Sequence, residues 1–439
     1  VQRKKSLIDA TFIGNAFFSY GAQAMAMLVG FANVTLVTRY AGVAVYGTLA
    51  LLTALSAVLS NILTFRTNDA VVRFYGEGKA SNKLEVARCS LWMGLLLDHV
   101  VGACLAGSLY FFAGTVATDL LKQPSAASAV QLYSLVLFAA FCRGTGYGLL
   151  IAREQFREAN VLGLTEQVLK LLFVYVSLKM AGVLSLAAVI VATLAASTVT
   201  TLIVYWMPLR EIVRLNSSVR VHRSTIAQYL RFSGSTFLSS TLKAGSQNID
   251  NLVLGYLTNA SNVGVYNLMK QFLNPIQMLS GPVGLQVYPR FVAALANRNT
   301  SAVDQTIVHG NLLLTRGAFA LLFLIAPALM FYWYWINLPI SPGLPVVFLL
   351  LALAAMLNQQ LWWTRAFSLS TDPNLSVKGN LLATCLSLVL LYPTTMYGGV
   401  AGTAAGTVLC LTIVCLYWHR KLQAFRSDAK DNTHHDSLK

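Results

Sequence analysis

Arg143, Lys170, Lys243, Lys270 and Arg316 all sit inside long apolar stretches of the chain, as do the acids Asp98, Glu166 and Asp250. An ionisable group in such surroundings is costly, and it is retained where it pairs, lines a cavity or meets a ligand. The cations can give charge-assisted hydrogen bonds to an anionic group such as a phosphate. The carboxylates can carry a coupled proton. A sixth cation, Arg365, falls near the end of an apolar stretch and is expected to snorkel toward the interface.

The spacing sharpens this reading. Thr236, Ser240, Lys243, Gln247 and Asp250 recur at steps of three and four, which puts them on one face of a helix. Lys270, Asn274, Gln277, Gly281 and Gly284 repeat the pattern in the next apolar stretch, where Pro275 and Pro282 should bend or loosen the helix. Two polar faces on adjacent helices imply a shared aqueous lumen. Lys243, Arg316, Lys270, Lys170 and Arg143 are its candidate substrate-binding cations. Gln23, Gln247 and Asn274 are its candidate polar lining, and Asp250, Glu166 and Asp98 its candidate coupling carboxylates. Two structural alternatives stand beside this one: Glu166 and Lys170 are spaced as an i, i+4 pair, and Asp98 with His99 can form a packed, hydrogen-bonded pair.

The elements that must position these groups are membrane helices. The chain has 439 residues, 56% hydrophobic and 11% charged, where a soluble domain carries about a quarter charged residues. Uninterrupted apolar runs near the length of a bilayer core recur throughout, which predicts an all-α polytopic membrane protein rather than a β-barrel. About twelve spans are expected, at 10–38, 43–65, 86–113, 127–151, 158–179, 182–206, 232–256, 263–289, 306–333, 345–370, 375–397 and 399–419. Most of the 32 Lys and Arg fall in alternate loops and in the tail, which predicts both termini in the cytoplasm. The net charge of +16 is therefore read as topology, and no nucleic-acid partner is expected. The aromatic run at 331–337 belongs at the opposite interface.

The six cysteines lack metal-ligand spacing and read as reduced packing residues. No catalytic residue, metal ligand or cofactor is assigned, and no Walker A pattern is found. Every outer loop is short, which leaves little room for an enzyme's soluble chemistry.

The chain repeats itself. At an offset of 220 residues, Gly14, Phe17 and Ser19 match Gly234, Phe237 and Ser239, and Val43, Val45 and Tyr46 match Val263, Val265 and Tyr266. At 217, Arg73–Phe74 match Arg290–Phe291. Six spans per half give a parallel repeat. The expected layout is an N-terminal six-helix bundle at 1–206, a basic cytoplasmic linker at 207–231, a C-terminal six-helix bundle at 232–420 and a polar cytoplasmic tail at 421–439. The two pseudo-symmetric bundles should surround a central cavity. Gln23 aligns with Lys243, so the first helix is polar but uncharged at that depth.

The stretches "LVTRYAGVAVYGTLALL" (36–52), "NDAVVRFYGEGKA" (68–80) and "NIDNLVLGYLTNASNVGVYNLMKQF" (248–272) resemble the polysaccharide transporter family. These are the Wzx-type lipid-linked oligosaccharide flippases of the multidrug/oligosaccharidyl-lipid/polysaccharide exporter superfamily. The shared pattern is an acid in the seventh helix (Asp250), a turn ending in Gly-x-Tyr, and Pro289–Arg290 closing the eighth.

The resemblance implies a secondary transporter of the bacterial inner membrane. It would move polyprenyl-diphosphate-linked repeat units of O-antigen, lipopolysaccharide or exopolysaccharide type by alternating access, beside a polysaccharide polymerase or chain-length partner. Peptidoglycan-precursor flippases of the superfamily usually have fourteen spans, against twelve here. The alternatives are a multidrug exporter of the same superfamily, which the excess of cations disfavours, and a membrane polysaccharide polymerase or ligase.

Overall fold

The computed structural model describes residues 10–63, 67–215, 225–233, 248–280, 300–336, 343–371 and 373–436. Side chains are described over the same ranges except 10–17, 61–63, 300, 365–366, 369–370, 373 and 428–436. All regular structure among the described residues is helical. The chain divides into two compact units, Val1–Thr241 and Leu242–Lys439.

The first unit contains α1 (Ala10–Tyr40), α2 (Val43–Leu63), α3 (Thr67–Ala80), α4 (Leu84–Phe111), α5 (Ala127–Phe141), α6 (Gly144–Ala152), α7 (Phe156–Ala181) and α8 (Leu186–Arg214). The second contains α9 (Ile249–Leu257), α10 (Ala260–Met278), α11 (Thr300–Trp335), α12 (Leu344–Gln359), α13 (Thr364–Thr371) and α14 (Pro373–Asp436). Eight helical segments among the described residues are long and apolar enough to cross a membrane, and six of them lie in the first unit. The seventh and eighth expected spans fall partly outside the described residues.

Large apolar side chains such as Phe111, Phe323 and Tyr397 stand exposed. On helices of this length they form the surface that lipid covers, since burial in lipid needs no protein partner. Inside the first unit, Val71, Tyr75, Leu91, Leu95, Leu149 and Ile212 close one core. Inside the second, Val303, Ile307, Trp363, Phe367, Val414 and Trp418 close another.

Three local features set the geometry of the charged groups. First, the interval between the second and third expected spans is not simply a loop. Residues 67–80 form the amphipathic helix α3, with Val71, Phe74 and Tyr75 buried and Arg73, Glu77 and Lys79 exposed. It runs back along α4: Gly78 abuts Ala87, and Thr67 reaches Asp98. Second, the span expected at 127–151 is two helices, α5 and α6, interrupted at Cys142–Arg143. Third, α14 is a helical hairpin that turns at Gly399, whose φ of 53° is easy only for glycine. The two arms touch through Thr395 and Thr403, whose hydroxyls lie 2.9 Å apart. The eleventh and twelfth spans, expected to separate at 398, separate one residue on, at Gly399.

The aromatic run near 331 divides. Phe331 and Tyr334 are exposed, as a belt requires, whereas Tyr332 and Trp333 are buried, with Tyr332 set edge-on against Phe272 at 5.2 Å. Helical geometry turns neighbouring residues to different faces, so a short aromatic cluster serves both roles.

Candidate functional site: charged groups within the spans

In the first unit the charge centres on the interruption between α5 and α6. Arg143 is the last residue before α6. Its guanidinium pairs with Glu166 of α7 and donates to Ser197 Oγ of α8 at 3.2 Å. Both side chains of the pair keep some exposure, 12% for Arg143 and 23% for Glu166. Lys170 lies one turn beyond Glu166 on the same helix and is partly buried. It forms no ion pair among the described residues, so Glu166 takes Arg143 as its close partner rather than its i+4 neighbour. Gln23 is exposed on α1, which packs on α7, with Asn160 Nδ2 donating to Ser19 Oγ at 2.9 Å.

Asp98 is different in kind. It is 4% exposed and forms no ion pair among the described residues. Three donors satisfy it: Thr67 Oγ1 at 2.5 Å, Thr145 Oγ1 at 2.7 Å and the Thr145 backbone N–H at 2.7 Å. His99 faces elsewhere, with Nδ1 2.7 Å from the Leu95 carbonyl and its ring edge-on to Phe138 and Tyr205. The two neighbours thus serve separate partners.

In the second unit Asp250, in the first turn of α9, is the hub. Lys270 Nζ donates to Asp250 Oδ2 at 2.7 Å, and Tyr266 OH donates to the same oxygen at 2.8 Å. The Asn251 backbone N–H reaches Oδ1 at 2.9 Å. Tyr266 OH also lies 3.4 Å from Thr407 Oγ1 on the second arm of α14. Asn251 and Asn267 exchange side-chain hydrogen bonds beside it, at 3.3 and 3.0 Å. The Asp250 side chain is 9% exposed and that of Lys270 is 26% exposed. Asn274 and Gln277 are exposed, whereas Leu273 and Ile276 are buried, so this part of the polar stripe of α10 faces away from the core; Gly281, Pro282 and Gly284 lie outside the described residues. Arg316 on α11 is exposed and forms no ion pair among the described residues. Lys243 and Gln247 lie outside the described residues, as does the side chain of Arg365.

Some partners carry no signal in the sequence. Ser197 and Thr407 are ordinary helix residues until the fold brings them to Arg143 and Tyr266. Tyr266 had a signal: it ends the Gly-x-Tyr of the family pattern, which was expected in a turn but lies within α10, and its contact is the family-marked acid.

A further cluster lies where α3, the turn after α6 and the end of α8 meet. Glu211, 3% exposed, pairs with Arg153, accepts from Tyr75 OH at 2.7 Å and lies 3.5 Å from Lys79. Burial holds the Tyr75 phenol above its ordinary range, so it donates as a neutral hydroxyl. The basic residues here, read as topology signals, also hold three elements together.

Membrane-length helices in both units, with ion pairs and further charged residues inside them, define a polytopic all-α membrane protein. Solved structures agree. An inward-facing multidrug resistance MATE family transporter of the MOP superfamily superposes with a TM-score of 0.68 at 15% identity, covering 94% of this chain and 99% of that one. The lipid II flippase MurJ, inward closed, gives 0.67 at 14%, covering 94% and 90%. A MOP superfamily transporter from Pyrococcus furiosus, noted for the reverse polarity of its binding pocket, gives 0.54 at 15%, covering 94% and 94%. Among curated proteins, none matches the sequence significantly. The chain belongs to the polysaccharide biosynthesis protein family, which it matches over residues 12–295.

Proposed function

We propose that this protein is a flippase of the bacterial inner membrane that moves polyprenyl-diphosphate-linked oligosaccharide units by alternating access. The observation that carries the reading is the charge left over within the spans. Glu166 answers Arg143, Asp250 answers Lys270, and Asp98 is satisfied by neutral donors. Lys170 and Arg316 then stand as surplus cations among the described residues.

A diphosphate and a hydroxylated glycan cannot cross hydrocarbon unaided, and unpaired cations offer the diphosphate charge-assisted hydrogen bonds at more than one depth. The polyprenyl tail can remain in lipid. Lys243, Arg143 and Lys270 are proposed to share the task, the last two when their own carboxylates release them. Protonation of Glu166 or Asp250 would do this, since each neutralises one cation, which makes these two the favoured coupling carboxylates.

The substrate class is proposed as O-antigen, lipopolysaccharide or exopolysaccharide repeat units, with a polysaccharide polymerase or chain-length protein as partner and both termini cytoplasmic. The fold is shared with multidrug exporters as closely as with MurJ, so the sign of the surplus charge is what favours the flippase reading over the exporter one. A cationic drug is a poor match for two unpaired cations.

The test is a proteoliposome assay with the purified protein, following polyprenyl-diphosphate oligosaccharide by accessibility of its glycan and a cationic dye by fluorescence. Translocation of the lipid-linked glycan alone supports the proposal. Movement of the dye alone would replace it with the exporter reading.

A further inference from the structure

Asp98 sits at the interruption that presents Arg143, and its bonding suggests a use other than carrying a proton. The helix α6 starts at Gly144 with no side-chain cap of its own. The first N–H groups of a helix lack internal partners and attract negative charge. Asp98 supplies that charge from α4: one oxygen accepts both the N–H and the hydroxyl of Thr145 at 2.7 Å, and the other accepts from Thr67.

The surrounding glycines leave no slack. A Cβ on Gly144 would lie 2.6 Å from Thr67 Oγ1 and 2.8 Å from Asp98 Oδ1, and one on Gly94 would lie 2.5 Å from Thr145 Oγ1. A Cβ on Gly148 would meet the Asn68 backbone at 2.8 Å. The carboxylate therefore pins the start of α6 to α3 and α4. One residue before that start, Arg143 emerges toward Glu166 and Ser197.

We propose that Asp98 is a positioning residue: a built-in anionic cap that fixes the break between α5 and α6, and thereby aims the Arg143 guanidinium at the path of the substrate's anionic group. The inference rests on the reading that Arg143 helps bind a diphosphate. It departs from the sequence expectation that Asp98 is a coupling carboxylate. An amide can replace a cap, since its oxygen accepts from the Thr145 N–H while its NH2 donates to a threonine hydroxyl. An amide cannot replace a proton carrier.

The experiment measures substrate half-saturation and maximal rate for polyprenyl-diphosphate oligosaccharide in proteoliposomes. The variants are Asp98→Ala, Asp98→Asn, Thr145→Val, Arg143→Ala and the Asp98→Ala/Arg143→Ala double, each checked for its melting temperature in detergent. The expected result for Asp98→Ala is a rise in half-saturation matching that of Arg143→Ala, about tenfold for one charge-assisted hydrogen bond. The double variant should be no worse than Arg143→Ala, and Asp98→Asn should recover most of the loss. If Asp98→Ala does not fold, Thr145→Val carries the test, with a smaller rise that likewise vanishes in the Arg143→Ala background.

Loss of gradient-driven transport in a folded Asp98→Asn protein would overturn the proposal in favour of proton coupling. Additive losses would overturn it as well. If Arg143→Ala leaves half-saturation unchanged, the anion-binding reading of Arg143 fails. If Arg143→Ala raises it while Asp98→Ala and Thr145→Val do not, only the positioning role fails.

Discussion

The two units solve the same problem, an acid and a base inside a membrane, at different places in the repeat. The second unit puts its pair on α9 and α10, where Asp250 meets Lys270. At the 220-residue offset the matching positions of the first unit are Gly30 and Ala50, which carry no charge. Tyr266, by contrast, has a true counterpart in Tyr46. The first unit instead puts its pair on the α5–α6 break and α7. At the offset the sequence suggests, the two units thus hold their charge pairs at unmatched positions.

The pairs also differ in how firmly they are held. Asp250 is the more enclosed carboxylate, with three donors. Glu166 is more exposed, with Lys170 a turn away as a reserve cation. The pair in the first unit should be the easier to open and that in the second the more structural. Outside the pairs the same contrast runs further. Glu211 is buried under three donors, whereas the Arg426–Asp304 bridge of the second unit is 32% and 38% exposed.

The largest expected effect is at Glu211. Glu211→Ala leaves Arg153 and Lys79 without their buried partner and should cost about 3–4 kcal/mol, read as a fall in melting temperature in detergent. Next is Lys270→Met, which strands Asp250 and should cost about 2–3 kcal/mol. Arg143→Met should cost about 1 kcal/mol, because Glu166 can rehydrate and Lys170 is near. Equal losses at Lys270 and Arg143 would erase the distinction between the pairs. Tyr266→Phe removes one donor to Asp250 and should cost about 1–1.5 kcal/mol; full stability in that variant would show the Thr407 link to be idle. Asp304→Asn, at the exposed bridge, should cost least, less than about 1 kcal/mol, and so move the melting temperature least.

Much of this was legible before the fold. Apolar run length gave the six spans of the first unit, and the boundary expected at 398 fell beside the turn of the α14 hairpin. Asp250 stood out because a carboxylate in an apolar helix needs a reason. Its partner did not stand out, since Lys270 lies on another helix, where spacing is silent, and only the fold brings it to 2.7 Å.

The break at Arg143 was hidden because no proline marks it. The residues gathered there, Asp98, Thr145 and the close-packed glycines, meet only in three dimensions. The helix α3 was hidden by its charge: Arg73, Glu77 and Lys79 lower its hydropathy, while its apolar face is too short to read as a span. The proposed roles of Lys170 and Arg316 rest on subtraction, and the subtraction needs the pairs to be seen.

The most direct test of the account is the initial rate of polyprenyl-diphosphate oligosaccharide translocation in proteoliposomes carrying wild-type protein, Lys170→Ala, Arg316→Ala or the double variant. Each surplus cation should be worth about one charge-assisted hydrogen bond to the diphosphate, so each single variant should slow translocation about tenfold at low substrate. The double should slow it further, with melting temperatures close to wild type. Wild-type rates in a folded double variant would contradict the account.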